Sequence, residues 1–201
     1  DRQYGVAAKL QNLESFDLAA DAWGKFVDDF PKDSRVSEAY YHLGVCCYQV
    51  DRTKPALAAF EKALPSLGDG ERGELCLLYL GVTQLDLGRN GQDKLLEAAV
   101  GTFEGLRKKY PKGKYQGDAL YYQGESAYLL ARLDEAAELY GAFIATYRDH
   151  RLTAEALYAL GVTQDELGQS KDAAKTHQRF LAGFPKHRLA PEVAMRCGES
   201  L

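Results

Sequence analysis

The chain has 201 residues, of which 46% are hydrophobic and 27% are charged. This is enough apolar material for one core or for one continuous stack of layers. Acidic residues outnumber basic residues by 29 to 25, which gives a formal net charge of −4. That balance argues against nucleic acid as a partner, because nucleic-acid binding needs a clustered basic face. No apolar run approaches the roughly 20 residues of a membrane-spanning helix, so no direct membrane span is expected.

A small set of residues recurs at a fixed interval along the chain. The distance is 37 residues from Gly44 to Gly81, from Gly124 to Gly161 and from Gly161 to Gly198. From Gly81 to Gly124 it is 43 residues, which equals one period plus an insertion of six. Such self-similarity is typical of repeat architectures. The sequence therefore predicts one solenoid domain with five full units and a terminal half unit, at residues 1–36, 37–73, 74–116, 117–153, 154–190 and 191–201.

Each unit is predicted to form two helices, because apolar residues recur at spacings of three and four. Small polar residues favour N-caps at the start of the second helices, namely Thr53, Asp134 and Ser170. Prolines follow the second helices, where a continuing helix would lose a hydrogen bond, at Pro31, Pro111 and Pro185. The prediction is an all-α chain with eleven helices.

The six-residue insertion falls between the two helices of the third unit, around residues 88–93. The pair Asn90-Gly91 is a turn signal. One interpretation is a lengthened loop, which costs little. The other is an extra lip on the solenoid. Residues 94–97 also allow the second helix to start early by more than one turn.

The residues that recur in the units have the order of a known repeat. The second unit supplies Tyr40, Leu43, Gly44, Ala56, Phe60 and Ala63. The fifth supplies Leu157, Leu160, Gly161, Ala173, Phe180 and Pro185, with His177 in place of an aromatic residue. In this order the chain resembles the tetratricopeptide repeat family over essentially its whole length. The resemblance implies a right-handed superhelical solenoid of antiparallel helix pairs.

The period of 37 residues departs from the 34 residues typical of that family. The extra residues fall after the aromatic-proline pair, as in residues 30–39. This longer form is similar to a bacterial envelope branch that includes outer-membrane assembly lipoproteins and Tol-Pal-associated coordinator proteins. The similarity implies a bacterial periplasm or cell envelope as the compartment, with the cytoplasm left open.

In the resembled family, the first helix of each unit lines a concave groove. Carried over by register, the groove positions hold tyrosines at Tyr4, Tyr41, Tyr48, Tyr121, Tyr128 and Tyr158. Acids border them at Glu38, Asp118, Glu125 and Glu155. Tyrosine offers a large contact area with few rotatable bonds, which suits a peptide-binding surface. The acids predict a partner with basic residues beside its apolar anchors. The alternative is that some of these tyrosines only pack between neighbouring first helices.

Residues that could support chemistry are few and scattered. The four cysteines, Cys46, Cys47, Cys76 and Cys197, are too irregularly spaced for a disulfide framework and are expected to be buried small hydrophobes. Two histidines, His42 and His177, are expected to be packed. The other two, His150 and His187, lie one repeat apart, which repetition explains better than a metal site.

No nucleophile has an identifiable base, and no phosphate-binding or zinc-protease motif occurs. The chain is therefore expected to be no enzyme and to use no cofactor or metal. The favoured function is a scaffold that holds a peptide or protein segment in its groove. The alternative is a helper or regulatory repeat region of a larger enzyme or signalling protein.

Overall fold

The computed structural model describes residues 2–199; Asp1, Ser200 and Leu201, at the ends of the predicted repeat array, lie outside this range. The described part contains eleven α-helices, one short 3-10 helix (Leu64–Ser66) and no strand. The prediction of an all-α chain with eleven helices is confirmed. The α-helices are α1 (Arg2–Asn12), α2 (Phe16–Asp29), α3 (Val36–Gln49), α4 (Thr53–Ala63), α5 (Glu71–Gly88), α6 (Asp93–Lys109), α7 (Gln116–Leu129), α8 (Leu133–Thr146), α9 (Thr153–Glu166), α10 (Ser170–Gly183) and α11 (Ala190–Glu199).

The contacts divide the chain into two compact units, one up to Tyr115 and one from Gln116. In the first unit, α1 to α6 pack in chain order, each on the next. In the second unit, α7 to α11 pack in the same way. Nearest-neighbour packing of this kind is the expected organisation of a repeat array. None of the helices in residues 2–199 is long and apolar enough to cross a membrane.

A large side chain of the second helix packs on the repeat glycine of the first helix. A Cβ atom built on Gly44 would lie 2.6 Å from the Phe60 ring, and one built on Gly124 would lie 2.8 Å from the Tyr140 ring. The same relation joins Gly81 to Phe103. These three aromatic side chains are fully buried. The paired helices therefore approach each other closely at the repeat glycines.

The turn inside a helix pair is closed by the backbone. Asp51 and Ala131 both adopt a φ of 57°, and Gly168 takes the equivalent place with a φ of 71°. In each case the next residue donates its N–H to a carbonyl five residues earlier, as Arg52 does to Cys47 at 2.9 Å. This is the bonding of a helix that ends in a left-handed residue.

The predicted N-caps at Thr53, Asp134 and Ser170 are wrong. The residues in the cap position are Arg52, Arg132 and Gln169, and none of them makes a side-chain capping bond. Because the backbone already fixes the turn, no side-chain cap is needed to set where the second helix starts.

The six-residue insertion lengthens the third helix pair on both sides of its turn. The two helices of the fourth repeat, α7 and α8, have 14 residues each, whereas α5 has 18 residues and α6 has 17. Two of the inserted residues extend the C-terminal end of α5, three extend the N-terminal end of α6, and one lengthens the turn. The second helix therefore starts early, as expected, but by three residues and not by the expected more than one turn.

The four cysteines are free and buried, as predicted. Burial raises the pKa of Cys46 and of Cys76 to about 12, which keeps these thiols protonated at neutral pH. His177 is also fully buried, where it replaces the aromatic ring over Gly161. His42 is half-buried and stacks on Trp23 with 5.1 Å between the ring centroids.

Candidate peptide-binding face

The predicted groove tyrosines lie on the first helix of each pair. We call the side of these first helices that carries the predicted groove tyrosines and border acids the first-helix face. It is described for each compact unit by itself. Four of its tyrosines are half-buried, with part of the ring open to solvent: Tyr4 and Tyr48 in the first unit, and Tyr128 and Tyr158 in the second. These four tyrosines are the ones that keep surface for a partner.

In the first compact unit, a hydrogen bond orients Tyr48, and ring and cation–π contacts orient Tyr4. The hydroxyl of Tyr48, on α3, donates to Asp86 on α5 at 3.1 Å. The ring of Tyr4 packs edge-on against Trp23, with 4.8 Å between the centroids, and the Arg35 guanidinium lies 4.6 Å from its ring centre. Burial and the nearby Glu38 carboxylate raise the pKa of Tyr4.

In the second compact unit, hydrogen bonds from tyrosine hydroxyls to carboxylates likewise join successive first helices. The Tyr158 hydroxyl on α9 donates to Glu192 on α11 at 2.7 Å, and the Tyr128 hydroxyl on α7 donates to Glu166 on α9 at 2.6 Å. Burial and the hydrogen bond to Glu166 raise the pKa of Tyr128 to about 12. The phenol is a donor at neutral pH, and the raised pKa keeps it protonated to a higher pH than an ordinary tyrosine.

Two predicted groove tyrosines are mainly core residues, which corrects the sequence interpretation. Tyr41 and Tyr121 are each 8% exposed and belong to the hydrophobic clusters of their units. The Tyr41 ring packs 6.4 Å from the Phe60 ring, and the Tyr121 ring packs 6.0 Å from the Phe143 ring. The alternative that some tyrosines pack between helices applies to this pair.

The predicted border acids have partners within the chain. Asp118 is only 4% exposed and pairs with Arg151 and His150, so its predicted place at the ligand-facing border is wrong. Glu38 pairs with Arg72 at 2.7 Å.

The two remaining border acids are half-buried and also engaged. Glu125 accepts a hydrogen bond from the buried Tyr140 hydroxyl at 2.6 Å. Glu155 faces Nε2 of His187 at 3.5 Å. A cationic ligand would compete with these internal partners at each position.

Of the three acids that hold the tyrosines, the register of the groove includes Glu192 as a border acid but not Asp86 or Glu166, although the spacing of all three carries a signal. Glu192 follows Tyr158 by 34 residues, whereas Asp86 follows Tyr48 by 38 and Glu166 follows Tyr128 by 38. These offsets are close to one period, so each places an acid on the next first helix. A search for tyrosine–acid pairs one period apart would have found them.

A second missed feature joins the core to the first-helix face. Polar atoms of core side chains on the second helices reach acceptors on the first helices. Trp23 Nε1 donates to Gln11 at 2.9 Å, and His177 Nε2 lies 2.9 Å from Asp165 Oδ2. Together with the Tyr140–Glu125 bond, these contacts let core side chains hold three polar side chains of the first helices: Gln11, Glu125 and Asp165.

The geometry defines a helical-repeat protein in which each unit is one pair of helices. Two family models, both described as "Tetratricopeptide repeat", match the chain, one over residues 9–71 and the other over residues 118–150 and 155–187. The matched ranges together cover more than half of the chain. The chain therefore belongs to the tetratricopeptide repeat family, whose fold is typically a non-catalytic scaffold for protein or peptide partners.

Solved structures of other repeat proteins share this fold. YrrB, described as a TPR protein with an unusual peptide-binding site, is 21% identical with a TM-score of 0.74, and the match covers 96% of this chain and 90% of that one. MamA of Desulfovibrio magneticus RS-1 is 15% identical with a TM-score of 0.72, covering 90% and 92%. TTC0263, a thermophilic TPR protein of Thermus thermophilus, is 18% identical with a TM-score of 0.58, covering 99% and 97%. No curated protein matches the chain.

Proposed function

We propose that the chain is a non-catalytic scaffold that holds a peptide or protein segment on its first-helix face. The observation that carries the proposal is the set of half-buried tyrosines whose hydroxyls are held by acids of the next first helix. A ring fixed in this way presents a large amphipathic surface and loses little conformational entropy when a partner binds. YrrB, which shares the fold, is described with a peptide-binding site, and this supports the same class of ligand.

The proposed ligand contacts apolar ring faces rather than free carboxylates. Glu38, Glu125 and Glu155 already have partners, so they tune the face more than they drive affinity. A ligand with a basic residue beside its apolar anchors would exchange with these partners at the exposed rim. Such rim charges affect association rate and specificity more than binding strength.

The test starts from a peptide selected on the full chain by display, whose affinity is then measured for variants. Tyr48→Ala removes a ring of the first-helix face and is expected to weaken binding by about 1–3 kcal/mol, since aromatic anchors dominate such interfaces. The matched control is Tyr40→Ala, which removes a half-buried tyrosine from the same helix at a position outside the face.

Tyr48→Phe keeps the ring and loses only the hydroxyl bond to Asp86. It should give an intermediate loss if the ring orientation matters. Equal affinity of Tyr48→Ala and wild type, with both proteins folded, would contradict binding on this face of the first unit. Tyr158→Ala is the corresponding test in the second unit.

We further propose a setting in bacterial cell-envelope assembly, which rests on the 37-residue period. The reading frame of the full-length protein tests it. A lipobox or signal peptide ahead of this sequence is the expected result. A fused catalytic domain would instead favour a helper region of a larger enzyme.

A further inference from the structure

The second compact unit has an uneven distribution of charge. From Gln116 onward the chain has 12 acidic and nine basic residues. Two loops, 147–152 and 184–189, contain four of these nine basic residues and only one of the acids, Asp149. The rest of the unit therefore has eleven acids against five basic residues. Cations are concentrated on these loops although the unit as a whole is acidic.

The four basic side chains of these loops are exposed: Arg148, Arg151, Lys186 and Arg188. We call them the basic loop edge. Arg151 pairs with the buried Asp118. Among the side chains described in residues 2–198, no acid pairs with Arg148, Lys186 or Arg188. By contrast, three cations between residues 107 and 114 of the first compact unit have an acidic partner: Lys108, Lys109 and Lys114.

The two loops share one local structure, which is built around a histidine. His150 Nδ1 accepts the N–H of Leu152 at 3.3 Å, and His187 Nδ1 accepts the N–H of Leu189 at 3.3 Å. Each histidine ring meets a buried phenylalanine edge-on, at 5.3 Å from Phe143 and 5.6 Å from Phe180. Each loop therefore has a defined shape from which its arginine, next to the histidine, extends.

One of these histidines places the 184–189 loop next to the start of α9. His187 Nε2 lies 3.5 Å from Glu155, which is in the first turn of α9 and so directly follows the 147–152 loop. The 184–189 loop is thereby held beside the 147–152 loop. The basic loop edge therefore borders the first turns of α7 and α9, where Asp118 and Glu155 lie.

We propose that the basic loop edge binds an acidic peptide segment of a partner protein. Arginine forks match carboxylates in a two-point geometry, and unpaired cations close together raise the local concentration of an anionic ligand. A short acidic segment fits within two loops. A long polyanion such as RNA, or an anionic membrane, would extend over the acidic remainder of the unit and be repelled.

The test measures binding of a fluorescein-labelled peptide of alternating glutamate and serine to the full chain by fluorescence anisotropy. Binding is expected at low salt and should weaken as salt rises, because the charges are exposed and screened. A peptide of alternating glutamine and serine should not bind. The variant Arg148→Glu/Lys186→Glu/Arg188→Glu should bind the acidic peptide about tenfold or more weakly.

The matched control reverses three cations elsewhere in the second unit, in Lys171→Glu/Lys175→Glu/Arg179→Glu on α10. It changes the net charge equally and should change the affinity much less. Circular dichroism checks that both variants are folded, and Lys186→Gln/Arg188→Gln gives a milder second variant. Equal losses in the two triple variants, or no binding by wild type, would overturn the proposal.

Two further probes test the partner class. Tighter binding of poly(U) RNA or of phosphatidylserine vesicles than of the acidic peptide would replace the peptide as the partner. Tyr48→Ala should leave binding of the acidic peptide unchanged. This keeps the outcome for the basic loop edge independent of the outcome for the first-helix face.

Discussion

The substitution Gly81→Ala tests the contact that defines each helix pair. A Cβ atom at this position would lie 2.5, 2.7 and 2.9 Å from the Cε1, Cζ and Cδ1 atoms of Phe103. The Phe103 ring has no exposed surface, so it cannot turn into solvent to make room. The added methyl group therefore forces α5 and α6 apart or drives the ring off its preferred rotamer.

Two opposing effects set the size of the change. Overpacking a close-packed interior costs about 1–3 kcal/mol, and three ring atoms inside 3.0 Å place this site toward the upper end. Alanine is a better helix former than glycine by about 1 kcal/mol, which offsets part of the loss. The expected net loss in the free energy of unfolding is about 1–2 kcal/mol.

The measurement is urea unfolding of the full chain, followed by circular dichroism. The matched control is Gly101→Ala on α6, where a Cβ atom would meet nothing within 4 Å. It makes the same chemical change in the partner helix and should stabilise the chain by about 0.5–1 kcal/mol. If Gly81→Ala stabilised the chain as much as Gly101→Ala does, the glycine–aromatic contact would not limit the packing of this pair.

Two further predictions concern the turns and the thiols. Ala131→Gly should stabilise the chain by about 0.5–1 kcal/mol, because Ala131 has a φ of 57°, which glycine adopts without strain. The control Ala142→Gly, in the interior of α8, should destabilise the chain by a similar amount. Thermal unfolding of both variants shows whether the two changes in stability have opposite signs. Cys46 and Cys76 should react slowly with a thiol reagent at neutral pH and quickly in guanidinium chloride, because burial raises both pKa values to about 12. Fast labelling of the native chain would contradict their burial.

The fold could be predicted because the repeat supplies the same information several times. The repeat register placed the helix pairs, with Ala7 in place of the glycine in the first pair, and the single interval of 43 residues located the insertion. A contact such as Gly124 on Tyr140 follows from small and large residues that keep a fixed spacing in successive units. Repetition did not correct the N-cap prediction, which was wrong at the equivalent position of three repeats.

The candidate site was less predictable. The repeat register predicts where on the helix a residue lies, but it does not predict how deeply the side chain is buried. Tyr41 and Tyr158 occupy equivalent positions, yet Tyr41 is 8% exposed and Tyr158 is half-buried. The difference arises from neighbours that are not the same in each unit. Asp118 likewise reads as a surface acid until Arg151 and His150, more than 30 residues away, are placed beside it.

The core position over the repeat glycine links the stability of a unit to the chemistry of its first-helix face. Phe60 and Phe103 fill this position with hydrocarbon alone, whereas Tyr140 and His177 fill it and also hold a carboxylate of the face. In all four repeats the ring fills the space over the glycine, so the fold accepts an apolar ring or one with a polar atom. The polar atom decides whether an acid of the face is held in one orientation. Variation at a buried site can therefore change what the face presents to a partner while the helix pair stays the same.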